Sequence, residues 1–338
     1  MSQVDTADAI KPVGIALVGC GRISVPHLEA IVGQPGFGTL VAVVDPDLDR
    51  AREVARHYRA PHAFARLEDV FGVDGGEAVV LCTPNAIHAS QTAAALRAGL
   101  HVLVEKPFSE TLADAEHIAG IADRTGLTLV AGHTFRHVEA VRTLQDRRHE
   151  FGRLRAVDIA MCVFWDGPQA PWWAERTAEQ GLILSLFAPH AIDFLQLAVG
   201  EVDPVRVHAE KARHQSGWLG EDEAMILLRY PDDVIASIHL SYNQRFAMNR
   251  KTLHFEKAVL TIENGDELWI DGTQVVAPPA PERVEGKLLG AQIHHYFATQ
   301  FREFALAVRG RPSRAVTHPM AVRQLRLNRR IIEIAQGD

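Results

Sequence analysis

From Val13 to about Val130, short apolar runs alternate with amphipathic segments. The runs Val13–Val18, Thr39–Val44, Ala78–Cys82, His101–Val104 and Thr128–Ala131 are almost wholly apolar, the pattern of strands covered on both faces of a parallel sheet. Between them, Leu48, Ala51, Val54, Ala55 and Tyr58 recur at helical spacing, and so do Leu112, Ala115, Ile118, Ala119 and Ala122. Strands and helices in strict alternation predict a doubly wound α/β domain.

After about Phe135 the period changes. Leu154–Phe164, Val205–Ala212, Ala224–Tyr230 and Val234–Leu240 alternate as strands do. Leu253–Phe255, Val259–Ile262, Glu267–Ile270 and Gln274–Val276 follow, the last two joined by an Asp271-Gly272 turn. The expectation is therefore an α+β second domain built on an open-faced, mostly antiparallel sheet. A helix near Leu186–Val199 covers one face and leaves the other for a subunit partner. Helices at Ile293–Val308 and Met320–Ala335 close the chain. The boundary falls at residues 1–135 against 136–338, with the C-terminal helices able to pack back on the first domain.

A chain of 338 residues suits two domains. The formal net charge of −7 speaks against a nucleic-acid binder or a polybasic membrane anchor. No apolar run approaches the roughly 18 residues that cross a bilayer. The first dozen residues hold Asp5 and Asp8 and no apolar stretch, and read as a frayed tail rather than a signal peptide. Three scattered cysteines, Cys20, Cys82 and Cys162, fit a reducing compartment. A cytoplasmic protein is expected. None of the 17 histidines shows a ligand spacing that points to a metal.

Candidate chemistry collects at strand ends. Gly19-Cys20-Gly21-Arg22-Ile23-Ser24 leaves the first strand and opens a helix, the context a dinucleotide fingerprint requires. Its glycines allow a tight turn and close approach to a pyrophosphate. The third position is Ser24, a small departure. Asp45 ends the second strand, where an acid hydrogen-bonds the adenosine ribose and repels a 2′-phosphate, so NAD is favoured over NADP. Asp45 could equally cap the following helix. Thr83-Pro84-Asn85-Ala86-Ile87-His88 and Glu105-Lys106-Pro107 follow the next two strands at the same edge, with Asn85 able to cap a helix.

Taken together and in this order, Gly-Cys-Gly-Arg-Ile, Cys82-Thr83-Pro84-Asn85 with His88, and Glu105-Lys106-Pro107 resemble the Gfo/Idh/MocA oxidoreductases, over nearly the whole chain. The resemblance implies a Rossmann domain for NAD(P), contacted by Gly19, Gly21, Arg22, Ile23, Asp45, Thr83, Pro84, Asn85, His88, Glu105 and Lys106. It also implies a carbohydrate-like substrate, a sugar, cyclitol or derivative, and a homodimer or homotetramer formed through the second sheet. Lys106 corresponds to the family's active-site lysine, whose bond to proline is often cis.

The family's second signature matches Gly181-Leu-Ile-Leu-Ser-Leu186-Phe-Ala-Pro-His190-Ala-Ile-Asp193, with one departure: Leu186 stands where the family has an aspartate. Four residues apart on a helix share a face, so that aspartate would sit within reach of His190. An imidazole with an ordinary pKa of about 6.5 suits proton removal from an alcohol, which makes His190 the candidate base beside Lys106. His133 and Arg136, Trp165, the Trp172-Trp173 pair and Asp193 are further candidates around a substrate. A dehydrogenase or ketoreductase leads. A glycosidase that recycles bound NAD, or a non-catalytic NAD-binding sensor, are the alternatives.

Overall fold

The computed structural model describes residues 10–168, 171–177, 180–277 and 290–337. The chain divides into two compact units, one made of residues up to 137 with 290–322, the other of 138–277 with 323–337.

In the first unit the elements run β1 (Val13–Val18), α1 (Ser24–Val32), β2 (Gly38–Val44), α2 (Leu48–Tyr58), β3 (His62–Phe64), β4 (Ala78–Leu81), α3 (His88–Arg97), β5 (His101–Glu105), α4 (Leu112–Thr125) and β6 (Leu129–Gly132). The second unit holds α5 (Glu139–Arg147), β7 (Leu154–Phe164), α6 (Pro171–Ala174), α7 (Ile183–Leu186), α8 (Ala188–Val199), β8 (Arg206–Ala212), β9 (Glu223–Arg229), β10 (Ile235–Ser241), β11 (Asn243–Phe255), β12 (Val259–Glu263), β13 (Glu267–Ile270) and β14 (Thr273–Val276). Helix α9 (Gly290–Val308) and β15 (Val316–Thr317) return to the first unit, and α10 (His318–Gln336) ends the chain.

The first sheet has the order β15-β6-β5-β4-β1-β2-β3. It is parallel except where β15 pairs antiparallel with β6. Chain order reverses beside β1, so the ends of β1 and β4 form the switch point at which α/β sheets bind ligands. The short strands β3 and β15 go beyond the sequence expectation; three and two residues are too few to show a period. The core joins Ile15, Leu17, Leu28, Ile31 and Val43 to Phe297, Phe301 and Phe304 of α9. A Cβ built on Gly38 would lie 2.3 Å from Cζ of Phe301, so only glycine admits that ring.

The second sheet runs β14-β13-β12-β11-β7-β10-β9-β8. It is antiparallel apart from the parallel pair β7–β10. Strand β11 is far longer than the expected Leu253–Phe255, because its polar stretch 243–252 lacks the alternation that reveals a strand and carries a register shift between Asn243 and Met248. Val157, Ile159, Ile238 and Leu240 are buried on the face that α8 covers. Met225, Leu227 and Ile235 stand about half exposed on the other face, at 54%, 53% and 51%.

Candidate active site

The first unit gathers its candidate residues at one edge of its sheet. Gly19 leaves β1 at φ +92°, and a Cβ there would lie 2.8 Å from the carbonyl oxygen of Cys82 at the end of β4. Glycine is therefore required on both conformational and steric grounds. At Gly21 a built Cβ meets nothing within 4 Å, so the turn leaves an open cradle. Ser24, the departure from the fingerprint, is buried, and its hydroxyl donates to the Gly21 carbonyl at 2.6 Å. Helix α1 then starts with no side-chain cap and no acid in its first turn, leaving its positive end to an anion. Arg22 and Ile23 are exposed on this turn.

Asp45 is buried and braces the cradle. One carboxylate oxygen accepts the Cys20 N–H at 2.8 Å and the other the Asp47 N–H at 3.0 Å. It does not cap α2; Asp47 does, accepting from the Arg50 N–H. Asn85 does not cap α3 either, since the cap position falls on Ile87. Instead, its buried Nδ2 has no partner among the described residues, an unspent donor at the ligand edge. The open glycine cradle, the uncapped helix start and this donor fit a dinucleotide.

His88 is correctly placed but differently employed. Its ring is fully buried, with Nδ1 2.8 Å from the Pro107 carbonyl and Nε2 2.8 Å from the Thr83 carbonyl. Burial lowers its pKa. The ring thus ties two loops together; a neutral imidazole donates to one carbonyl at a time. The Thr83 hydroxyl donates to Gln91 at 2.6 Å, and Pro84 is exposed. Glu105 is likewise buried, bonded to His27 at 2.8 Å and to the Lys106 N–H at 3.1 Å.

The Lys106–Pro107 bond is cis. Burial draws the Lys106 ammonium below its ordinary pKa; Glu105 opposes this and Arg22 adds to it. His133 and Arg136 follow β6 at the same edge and are both buried, with Arg136 Nη1 3.7 Å from Met320 Sδ. The cysteines are inert, burial pushing Cys20 to about 12 and Cys162 to about 11.

In the second unit, His190 lies in the first turn of α8, half-buried, its ring 6.5 Å from that of Phe187 and edge-on to it. The expected single helix is broken: α7 ends at Leu186 and α8 begins at Ala188. Leu186 and His190 therefore do not share one uninterrupted helix face. Ser185 is no substitute acid, because its hydroxyl donates to the Gln180 carbonyl at 2.5 Å. The carboxylate that serves this segment is Glu221, which the sequence reading missed. It is buried and accepts the Leu182 and Leu184 N–H groups at 2.7 and 3.0 Å. Burial raises its pKa while those bonds pull it down. The acidic run Glu221-Asp222-Glu223 that leads into β9 was its only signal. Asp193 is buried and accepts from Gln324 Nε2 at 2.6 Å, joining α8 to α10. Trp165 packs with tilted rings against Trp173 and Tyr242 at 5.1 and 4.5 Å between centroids; the side chain of Trp172 lies outside the described residues. No group of three metal-ligating side chains and no helix apolar enough to cross a membrane occurs among the described residues.

An open glycine turn at the switch point of a doubly wound sheet, with an acid closing the next strand and a lysine two strands away, defines a Rossmann-type oxidoreductase. Residues 13–133 match the model of an oxidoreductase family with an NAD-binding Rossmann fold, and residues 139–261 match the Gfo/Idh/MocA C-terminal domain. The chain belongs to the Gfo/Idh/MocA family. It is 31% identical over 270 residues to an inositol 2-dehydrogenase of Corynebacterium glutamicum, covering 78% of this chain and 77% of that one. It is 38% identical over 122 residues to a 4-carboxy-2-hydroxymuconate-6-semialdehyde dehydrogenase of a Sphingobium species, a match that spans only 36% of this chain and 38% of the relative. The fold is shared with an oxidoreductase from Agrobacterium radiobacter solved with NAD+, L-tartaric acid and magnesium, at a TM-score of 0.85 and 16% identity over 96% of this chain and 97% of that one.

Proposed function

We propose that this protein is an NAD-dependent dehydrogenase or ketoreductase acting on a secondary alcohol of a sugar, cyclitol or derivative, with Lys106 and His190 as its acid/base pair. The observation that carries the reading is Lys106 itself, a cation of lowered pKa directly after β5 at the ligand edge of the sheet. Gly19, Gly21 and the start of α1 would hold the pyrophosphate, Asp45 the adenosine ribose, and Asn85 a further polar group. When bound, the nicotinamide supplies or accepts the hydride.

The chain's own residues handle the proton. The Lys106 ammonium donates a hydrogen bond to the reacting oxygen and stabilises the negative charge that grows there. His190 removes the hydroxyl proton during oxidation and returns it during reduction. Lysine at a depressed pKa can share that transfer, which compensates for the leucine at position 186. The half-exposed Met225, Leu227 and Ile235 support self-association through the open sheet face, and the three free thiols suit a cytoplasmic setting.

The test is NADH formation or consumption, followed by absorbance, across inositols, aldoses, uronic acids and the corresponding ketones, with NAD and NADP in parallel. Turnover of a polyol with NAD is expected. Tightly retained cofactor with no net NADH change in any of these would refute the proposal and leave a binding or NAD-recycling role.

A further inference from the structure

Glu105 is a buried acid of the first unit, and its partner is remote in sequence. His27 on α1 places Nε2 2.8 Å from one carboxylate oxygen, with 2% and 7% of the two side chains exposed. The other oxygen accepts the N–H of Lys106 at 3.1 Å. No slack surrounds the pair. A Cβ on Gly132 of β6 would lie 3.0 Å from the Glu105 oxygen that His27 bonds, and the His27 ring packs edge-on to Phe297 of α9 at 4.7 Å. Grip on the main chain at Lys106 sets where its side chain begins.

We propose that His27 is a positioning residue for Lys106: it clamps the Glu105 carboxylate, and that carboxylate fixes the Lys106 main chain and faces its ammonium. This rests on the reading of Lys106 as the lysine that meets the substrate. Electrostatics points the same way. Burial by itself would push Glu105 up, yet the His27 hydrogen bond and charge, the Lys106 ammonium and the Lys106 N–H together hold it below the usual carboxylate range. An anion at Glu105 in turn favours the charged lysine. The other titratable or charged groups facing this pair are the Cys82 thiol after β4, His88 of α3 and Arg22 of the glycine turn. Glu110 faces His88. His27 is the one that hydrogen-bonds the Glu105 carboxylate.

The experiment is the titration of Lys106 in the full-length protein, reductively methylated with 13C and read by NMR, the resonance being assigned through Lys106→Arg. In His27→Leu the clamp is gone and the Glu105 carboxylate is free to turn away from Lys106. Lys106 then loses its anionic neighbour, so its midpoint should move to lower pH by about one unit. Glu105→Gln should give the same shift, and adding His27→Leu to it should move the midpoint no further. His27→Gln, whose amide can still donate, should keep the wild-type midpoint. A wild-type midpoint in His27→Leu would overturn the proposal, as would an equal His27→Leu shift in the Glu105→Gln background. Should His27→Leu fail to fold, His27→Gln and Glu105→Gln carry the comparison, and coincident midpoints overturn it. Full turnover in Lys106→Met would refute the catalytic reading alone, leaving the coupling measurable.

Discussion

Replacing Asp45 with asparagine separates two jobs that one carboxylate performs. Its two oxygens accept the N–H groups of Cys20, in the glycine turn, and of Asp47, at the start of α2, at 2.8 and 3.0 Å. Asparagine is nearly isosteric and keeps one acceptor. Its amide nitrogen then meets the second N–H donor to donor, so one charge-assisted bond is lost and the other becomes neutral. A hydrogen bond to a charged group contributes about 1.5–3 kcal/mol, and Asp45 is only 7% exposed, so little of this is recovered from water. If the loss falls on the shape of the cradle, NADH binding weakens by about tenfold to a hundredfold. The same substitution removes the charge that repels a 2′-phosphate. NADPH should therefore lose less than NADH, and the preference between them should narrow. Fluorescence titration of both reduced cofactors against wild type and Asp45→Asn reads both effects. An unchanged NADH Kd in the variant, or a wild type that binds NADPH as tightly as NADH, would refute the reasoning.

His190→Ala should lower kcat by about a hundred- to ten-thousandfold with little change in NADH affinity, whereas Lys106→Ala should harm both; equal turnover in wild type and His190→Ala would remove the histidine from the mechanism. Gly38→Ala should cost about 1–3 kcal/mol in urea unfolding, because its Cβ would lie 2.3 Å from the Phe301 ring, and Phe301→Leu in the same chain should offset part of that cost. Additive losses would show that the ring simply moves aside. His101 accepts the Thr128 N–H at its Nδ1, and burial, with Arg309 adding and Glu77 opposing, holds its pKa down. The unfolded chain thus binds that proton first, and stability should fall as pH drops below about 6.5. His101→Gln, which can still accept the bond but does not titrate, should flatten that slope in unfolding midpoints measured across the range.

The nucleotide-binding unit was legible because its strands are buried on both faces and so read as unbroken apolar runs, as at Ala78–Leu81 and His101–Glu105. The ligand edge followed from which residues came directly after those runs. What each polar residue does there was not legible. The protein partners of His88, Glu105 and Asp193, namely Pro107, His27 and Gln324, lie 19, 78 and 131 positions away. No local pattern encodes such pairs. Similarly, the spacing of Leu186 and His190 suggests one helix face, while the helix breaks at Phe187 and its start is held by Glu221 from a distant loop. Periodicity identified α9 as an amphipathic helix without saying whose core its phenylalanines complete.

That last point bears on how the chain is made. Phe297, Phe301 and Phe304 fill the core between β1, α1 and β2, so β1 and β2 leave a ribosome long before the helix that closes their own core. Until then, the groove under Gly38 and Leu28 is an uncovered apolar surface that must be kept from self-association. The second unit, contributed mainly by the intervening residues 138–277, can bury its own sheet under α8 earlier. An N-terminal fragment ending near residue 137 should therefore be poorly soluble, and adding residues 290–322 in trans should rescue it.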